Sequence, residues 1–141
     1  MNNKILWAAL PLLIVGLAVA VLRRDDDAPP VATATLACAD LATGCATRLR
    51  DKEVRVGLGG EVKPLKPFQV WVNAAGAGKV RARFTMVGMD MGFNLYTLLA
   101  DRDGVFRARV TLPVCVSGKR DWIMTVEIDG AAVNVPFSTE P

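Results

Sequence analysis

The sequence predicts an all-β protein: an immunoglobulin-like antiparallel β-sandwich of about seven strands behind one N-terminal transmembrane helix. Three observations lead to this prediction. Beyond residue 50, apolar residues recur at every second position, as in strands with one buried face. Clusters of Gly, Asp and Ser separate these runs at intervals typical of tight turns. Near the amino end, a long apolar stretch without charges precedes a charged segment.

The apolar stretch runs from Ile5 to Leu22 and lies between basic residues. A helix of that length spans about 27 Å, enough for a thin bilayer. Two interpretations of residues 1–24 are open: an uncleaved anchor, or a signal sequence cut after the small-residue site Ala18-Val19-Ala20. We favour the anchor, because cleavage there would leave the apolar residues Val21 and Leu22 at the new terminus.

Residues 25–50 are predicted to be a linker with a local disulfide loop. The first half of this segment is rich in Asp, Ala, Pro and Thr, a composition suited to a spacer. Cys38 and Cys45 flank a short stretch that contains Gly44. On a helix the two cysteines would lie about 10 Å apart along the axis, too far to bridge. A disulfide therefore requires a non-helical loop, which Gly44 permits.

The cysteines and the charges beside the apolar span indicate different compartments. One basic residue precedes the span and two follow it, which weakly favours a cytoplasmic domain. That rule loses force for long translocated domains, whereas a disulfide needs an oxidising space. We therefore place the domain in a bacterial periplasm, held at the inner membrane by a single pass or secreted after signal cleavage.

Residues 51–141 are predicted to form the sandwich. Six runs have inward apolar residues that alternate with polar ones: Val54–Leu58, Phe68–Val72, Val80–Met86, Phe106–Leu112, Trp122–Ile128 and Val133–Phe137. A seventh segment, Asn94–Ala100, fits either a strand or a helical turn. Pro64 and Pro67 lie between runs rather than inside them, as strands require.

Composition excludes several functions. The chain contains no His, so it has no His-dependent nucleophile and no His-ligated zinc or haem. Its net charge of +3 comes from the three basic residues before Asp25, and the neutral remainder predicts no nucleic-acid binding. Since no nucleophile stands beside a base and no carboxylates are paired, we expect no enzymatic activity.

The segment Phe84–Gly92 holds three of the five methionines. Met86 continues the inward face of its strand, whereas Met89 and Met91 have the opposite parity and lie between glycines that favour a loop. Thioethers and thiolates are the ligands that select Cu(I), and they bind it without His. The alternative is that this methionine loop folds inward and fills a gap in the core.

Strand direction predicts a third ligand. If successive strands simply reverse, the second strand after the methionine loop returns to the end of the sheet where that loop lies. Cys115 follows this strand by three residues, so it would lie beside Met89 and Met91 as the odd thiol. The same count places Cys38 and Cys45 at the opposite end.

Four arginines project from the two strands that flank residues 94–100. They are Arg81, Arg83, Arg107 and Arg109. The ordinary interpretation is a solvated face that discourages edge pairing. The alternative is a surface that binds an acidic partner or anionic lipid.

Four segments resemble the YtkA-like and FixH-like group of membrane-anchored periplasmic immunoglobulin-like domains. They are Phe84–Gly92, Gly104–Phe106, Leu112–Cys115 and Gly118–Trp122. The resemblance covers about residues 68–137 and implies copper handling and cytochrome oxidase assembly. It makes Met89 and Met91 the Met-rich loop, Trp122 the core Trp, and a copper protein or oxidase subunit the partner. The missing His departs from the copper-handling pattern and leaves Cu(I) as the candidate ion.

We therefore predict a membrane-tethered periplasmic domain that binds Cu(I) through Met89, Met91 and Cys115, for copper delivery or oxidase assembly. The alternative is a metal-free envelope module that contacts other proteins through the methionine loop.

Overall fold

The computed structural model describes residues 31–32, 34–89, 94–114 and 117–140. Within these ranges the chain forms nine strands and no helix, and the all-β prediction is confirmed. In the same ranges, no helix has the length and apolar character needed to cross a membrane. The predicted membrane segment, Met91 and Cys115 lie outside the described residues.

Seven strands coincide with the predicted runs, and two more precede them. The strands are β1 (Ala34–Thr35), β2 (Cys45–Leu49), β3 (Lys52–Gly59), β4 (Phe68–Asn73), β5 (Val80–Met86), β6 (Leu95–Ala100), β7 (Val105–Val110), β8 (Asp121–Ile128) and β9 (Ala131–Ser138). The ambiguous segment 94–100 is thus mostly a strand. β1 and β2 lie within the segment that sequence analysis assigned to a linker. Their patterns are weak, because β1 has two residues and Leu49 is the one large apolar residue in β2.

The strands form one sheet in the order β1-β9-β8-β5-β6-β7-β4-β3-β2. Neighbouring strands are antiparallel, except that β1 runs parallel to β9. Odd-numbered strands therefore run in one direction and even-numbered strands in the other. We call the end where β3, β5, β7 and β9 finish the upper end, and the opposite end the lower end.

β6 connects two halves of this curled sheet. Its residues Leu95–Leu98 pair with β5, whereas Leu99 and Ala100 pair with β7. The curl brings together strands that are not neighbours in the sheet. The ring centroids of Phe84 on β5 and Phe68 on β4 are 6.2 Å apart, and β2 contacts β9 near the other margin.

Phe84 is the centre of the aromatic core. Its buried ring meets Phe68, Tyr96 and Phe137 edge to face, with centroids 6.0–6.2 Å apart. Each such pair contributes about 0.5–1.5 kcal/mol beyond the burial of apolar area. The predicted inward positions on β3, β4, β5 and β8 are buried around this ring, which confirms the alternation.

The packing of Phe84 predicts a large effect of its removal. Phe84→Ala should lower the free energy of unfolding by about 3–5 kcal/mol, because it leaves a cavity among three rings. Urea denaturation followed by circular dichroism measures this change. Leu99→Ala is the control: its side chain is 74% exposed, so its effect should stay within about 0.5 kcal/mol. Equal losses in the two variants would contradict the packing described.

Candidate functional site

The methionine loop begins with a tight turn at the upper end of β5. Met86 is buried and ends the strand, and its carbonyl oxygen accepts a hydrogen bond of 3.2 Å from the amide of Met89. Gly88 has φ +76°, a region that a residue with a side chain rarely adopts. The turn leaves Met89 37% exposed. The prediction that Met89 lies on a loop is therefore confirmed.

The base of this turn rests on β8. The amide of Val87 donates to the carbonyl oxygen of Asp121 over 3.0 Å, and Met86 pairs with Trp122. Trp122 is 1% exposed, and its indole nitrogen has no hydrogen-bond partner. A buried donor without a partner costs about 1–3 kcal/mol. An unpaired N–H group thus lies in the core next to the strand end that carries the turn.

The predicted reversal of β5, β6 and β7 is confirmed. β6 is antiparallel to both neighbours, so β7 finishes at the upper end. The chain then passes through the buried Leu112 to the exposed Val114. The structure thus brings residues 112–114 to the same end as Met89. The position of Cys115, the next residue, stays a prediction.

The predicted disulfide is present, but its predicted place is wrong. Cys38 and Cys45 are bonded, with 5.7 Å between their Cα atoms. We expected them at the lower end, where β3 begins. Cys45 instead pairs with Val56, because β2 first carries the chain from the upper part of the sheet down to that end. The loop closed by the bond lies along upper β3, where the Leu41 carbonyl oxygen accepts from the Leu58 amide over 2.8 Å.

Two of the four predicted arginines are held in ion pairs. Nε and Nη2 of Arg81 donate to the carboxylate of Glu127 over 3.1 and 2.8 Å, and both side chains are mostly buried. Nε of Arg107 donates to Asp101 over 3.0 Å. These carboxylates offset the charge beside β6. Arg83 and Arg109 lie higher, opposite Leu95 and Gln69 respectively.

The segment before β4 presents an exposed leucine at the upper end. Leu65 has φ +60°, is mostly exposed, and donates its amide to the Leu112 carbonyl oxygen over 2.9 Å. The carboxylate of Glu61 binds both Lys63 and Lys66. The hydrogen bond from Lys63, followed by that from Lys66, lowers the pKa of Glu61 from 4.5 to about 2. These contacts fix the segment that presents Leu65.

A positive charge lies beside the methionine turn. A Cβ atom on Gly88 would be 3.4 Å from Nζ of Lys119. The ammonium group of Lys119 therefore lies near Gly88, and a positive charge favours the ionised form of an acidic group close to it.

Sequence analysis missed Trp71 on the outer face of β4. Its indole ring occupies the space above Gly57 and Gly44, where Cβ atoms would overlap the ring. Gly57 is the cross-strand partner of Trp71, and Gly44 belongs to the disulfide loop. A glycine inside an alternating strand often marks a close approach of this kind, so Gly57 was the available signal.

In the described ranges, no three Cys, Asp or Glu side chains are grouped to hold a metal ion. Comparison of the chain with protein-family models, curated proteins and solved structures finds no match.

The Glu61 contacts predict a pH-dependent contribution to stability. Because the folded-state pKa is lowered, the ion pairs contribute fully above about pH 4.5, and the contribution is lost as the pH falls to about 2. Glu61→Gln should lower the free energy of unfolding at pH 7. The difference between the two proteins should shrink between these pH values in urea denaturation. A difference that does not vary with pH would contradict the assignment.

The disulfide predicts a second change in stability. Replacing both Cys38 and Cys45 with Ser should lower the free energy of unfolding by about 2 kcal/mol, because the short loop gains freedom in the unfolded chain. Thermal denaturation with and without reductant measures the effect. Reductant should destabilise the parent protein and leave the double variant unchanged. Equal sensitivity of both proteins would assign the effect to Cys115.

Proposed function

We propose that this protein is a membrane-tethered periplasmic domain that binds Cu(I) through its methionine loop, for copper delivery or copper-oxidase assembly. The exposed thioether of Met89 carries the proposal. It is presented on a turn at the end of the sheet where β7 also finishes. Soft sulfur ligands on an accessible loop suit an ion that must be received and released.

The sequence supplies two further sulfur side chains as candidate ligands. Met91 follows Met89 by two residues, and Cys115 follows the exposed Val114. Two thioethers are neutral, so a thiolate from Cys115 would balance the charge of Cu(I). The ammonium group of Lys119 beside the turn would favour that thiolate. We propose these three residues as the ligand set, without a catalytic role.

For the architecture, we propose an immunoglobulin-like sandwich, as in the YtkA-like and FixH-like group. Strand order supports this: β1-β9-β8-β5 would form one layer and β7-β4-β3-β2 the other, with β6 between them. The contact between Phe84 and Phe68 joins the proposed layers.

The direction of β1 supports the proposed tether. β1 runs parallel to β9, so the chain enters the sheet from the lower end. An anchor within residues 1–24 would then connect to the side opposite the methionine loop. The loop would face away from the bilayer, where a copper protein or oxidase subunit could reach it.

A second function is favoured by one observation. Four apolar side chains are exposed on segments at the upper end: Leu65, Val87, Met89 and Val114. Such a set also suits a metal-free module that contacts another envelope protein. In that case methionine supplies shape and apolar area, and sulfur has no special role.

An anaerobic Cu(I) competition titration separates the two functions. The full-length chain in detergent should bind one Cu(I), and the Met89→Leu/Met91→Leu double variant should lose that binding, because leucine keeps the apolar area but lacks the thioether. Met124→Leu removes a buried thioether elsewhere and is the matched control, with binding retained. Absence of binding by the parent chain, or retention by the double variant, would favour the metal-free module.

A further inference from the structure

We infer that the outer face of β2, β3, β4 and β7 binds an acidic glycan, with Trp71 as the stacking surface and arginines as the groups that bind its carboxylates. This face is separate from the methionine loop, and the inference does not depend on copper. It uses the proposed periplasmic location only to choose among polyanions.

The indole of Trp71 lies over the sheet instead of projecting from it. The ring extends from Gly57 to Gly44, and a Cβ atom on either glycine would occupy its position. Gly44 has φ +81° and is held by the disulfide loop. Neither glycine has a side chain, so the ring can lie flat against the backbone at both positions. Trp71 is half-buried and lies on the outer face of the sheet.

Polar side chains surround this ring on the same face. Gln69 and Asn73 flank Trp71 along β4, because residues two apart share a face. Arg107 lies directly opposite on β7, and Arg55 and Arg109 lie diagonally on the neighbouring strands. Amide and guanidinium groups around an aromatic ring can bind the hydroxyl and carboxylate groups of a sugar whose C–H face lies on the ring.

The face carries an excess of positive charge. Its outward positions on β2, β3, β4 and β7 hold four arginines and one carboxylate: Arg48, Arg55, Arg107, Arg109 and Glu53. Asp101, in the turn before β7, pairs with Arg107, and Arg55 donates to the backbone oxygen of Thr43 over 3.1 Å. Arg109 is exposed. Arg48 lies directly opposite Glu53, so four arginines face two carboxylates. The remaining positive charge, on Arg55 and Arg109, favours an anionic ligand.

A shallow, open depression lies at the upper edge of this face, one strand-side position above Trp71. Its volume is about 460 Å³, and Gln69, Arg109, Gly59 and Pro67 are among its lining residues. Gln69 and Arg109 are direct cross-strand partners. A chain of sugars could therefore place one ring on Trp71 and the next unit between Gln69 and Arg109.

A glycan fits this face better than a protein or a nucleic acid. Aromatic anchors at protein interfaces usually fill pockets on the partner, whereas Trp71 lies flat and cannot insert. Nucleic acids also stack on aromatic rings. The disulfide, however, indicates an oxidising compartment outside the cytosol and nucleus, away from most nucleic acid.

Binding of hexagalacturonate to the full-length chain in a zwitterionic detergent tests the inference. Calorimetry should show binding that weakens as salt is added, because the contacts are charged. Hexagalacturonate methyl ester has the same rings without the charge and should bind at least about tenfold more weakly. Trp71→Ala should also weaken binding by about tenfold, through loss of the stacking surface.

Arg109→Ala provides a second test of the inference in case Trp71→Ala fails to fold. Its side chain is exposed, so the fold should be retained while binding falls about fivefold. Arg83→Ala removes the same charge from the other half of the sheet and should leave binding unchanged. No binding, equal binding of the ester, equal losses in the two arginine variants, or tighter binding of oligothymidylate would each overturn the inference.

Discussion

The divided pairing of β6 is the constraint on which the rest of the structure depends. Leu95–Leu98 pair with β5, and Leu99–Ala100 pair with β7. A strand that pairs along its whole length with both neighbours would keep the sheet open. The division instead curls it, so that Phe84 can pack against Phe68 and one core serves both halves. The edge strands, the disulfide loop and the segments of the upper end are all arranged around that core.

Because all odd-numbered strands run upward, the curl gathers features from distant parts of the sequence at one end. The methionine turn, the segment after β7 and the segment that presents Leu65 all occur at strand ends there. The outer face of the sheet differs chemically from the upper end. The outer face around Trp71 combines an aromatic ring with guanidinium groups, whereas the upper end presents the thioether of Met89 near exposed apolar side chains. The two ligands proposed above, Cu(I) and an acidic glycan, would therefore not compete for the same residues.

Apolar alternation made the core predictable, because each inward residue of β3, β4, β5 and β8 contributes to a single period-two pattern. β2 escaped detection since Cys45 and Thr47, two of its three inward residues, are not large and apolar. The short spacing of Cys38 and Cys45 was enough to predict that they pair. The position of this disulfide along the sheet depended on β2, which the residue pattern did not reveal. Trp71 could not be recognised as a surface ring, because its environment is made by Gly57 on another strand and Gly44 in a loop. A close contact between residues on different segments cannot be read from the residue pattern of a single strand.

The parallel pairing of β1 with β9 has a consequence for the order of folding. Ala34 pairs with Val133, so a strand near the start of the described chain gains its partner only when the last strand has been made. Contacts of such long sequence separation form slowly. During synthesis, residues 34–36 cannot reach their partners until β9 has emerged, and the closing of β1 against β9 completes the sheet. The segment nearest the proposed anchor thus cannot be fixed before the last strand has been made.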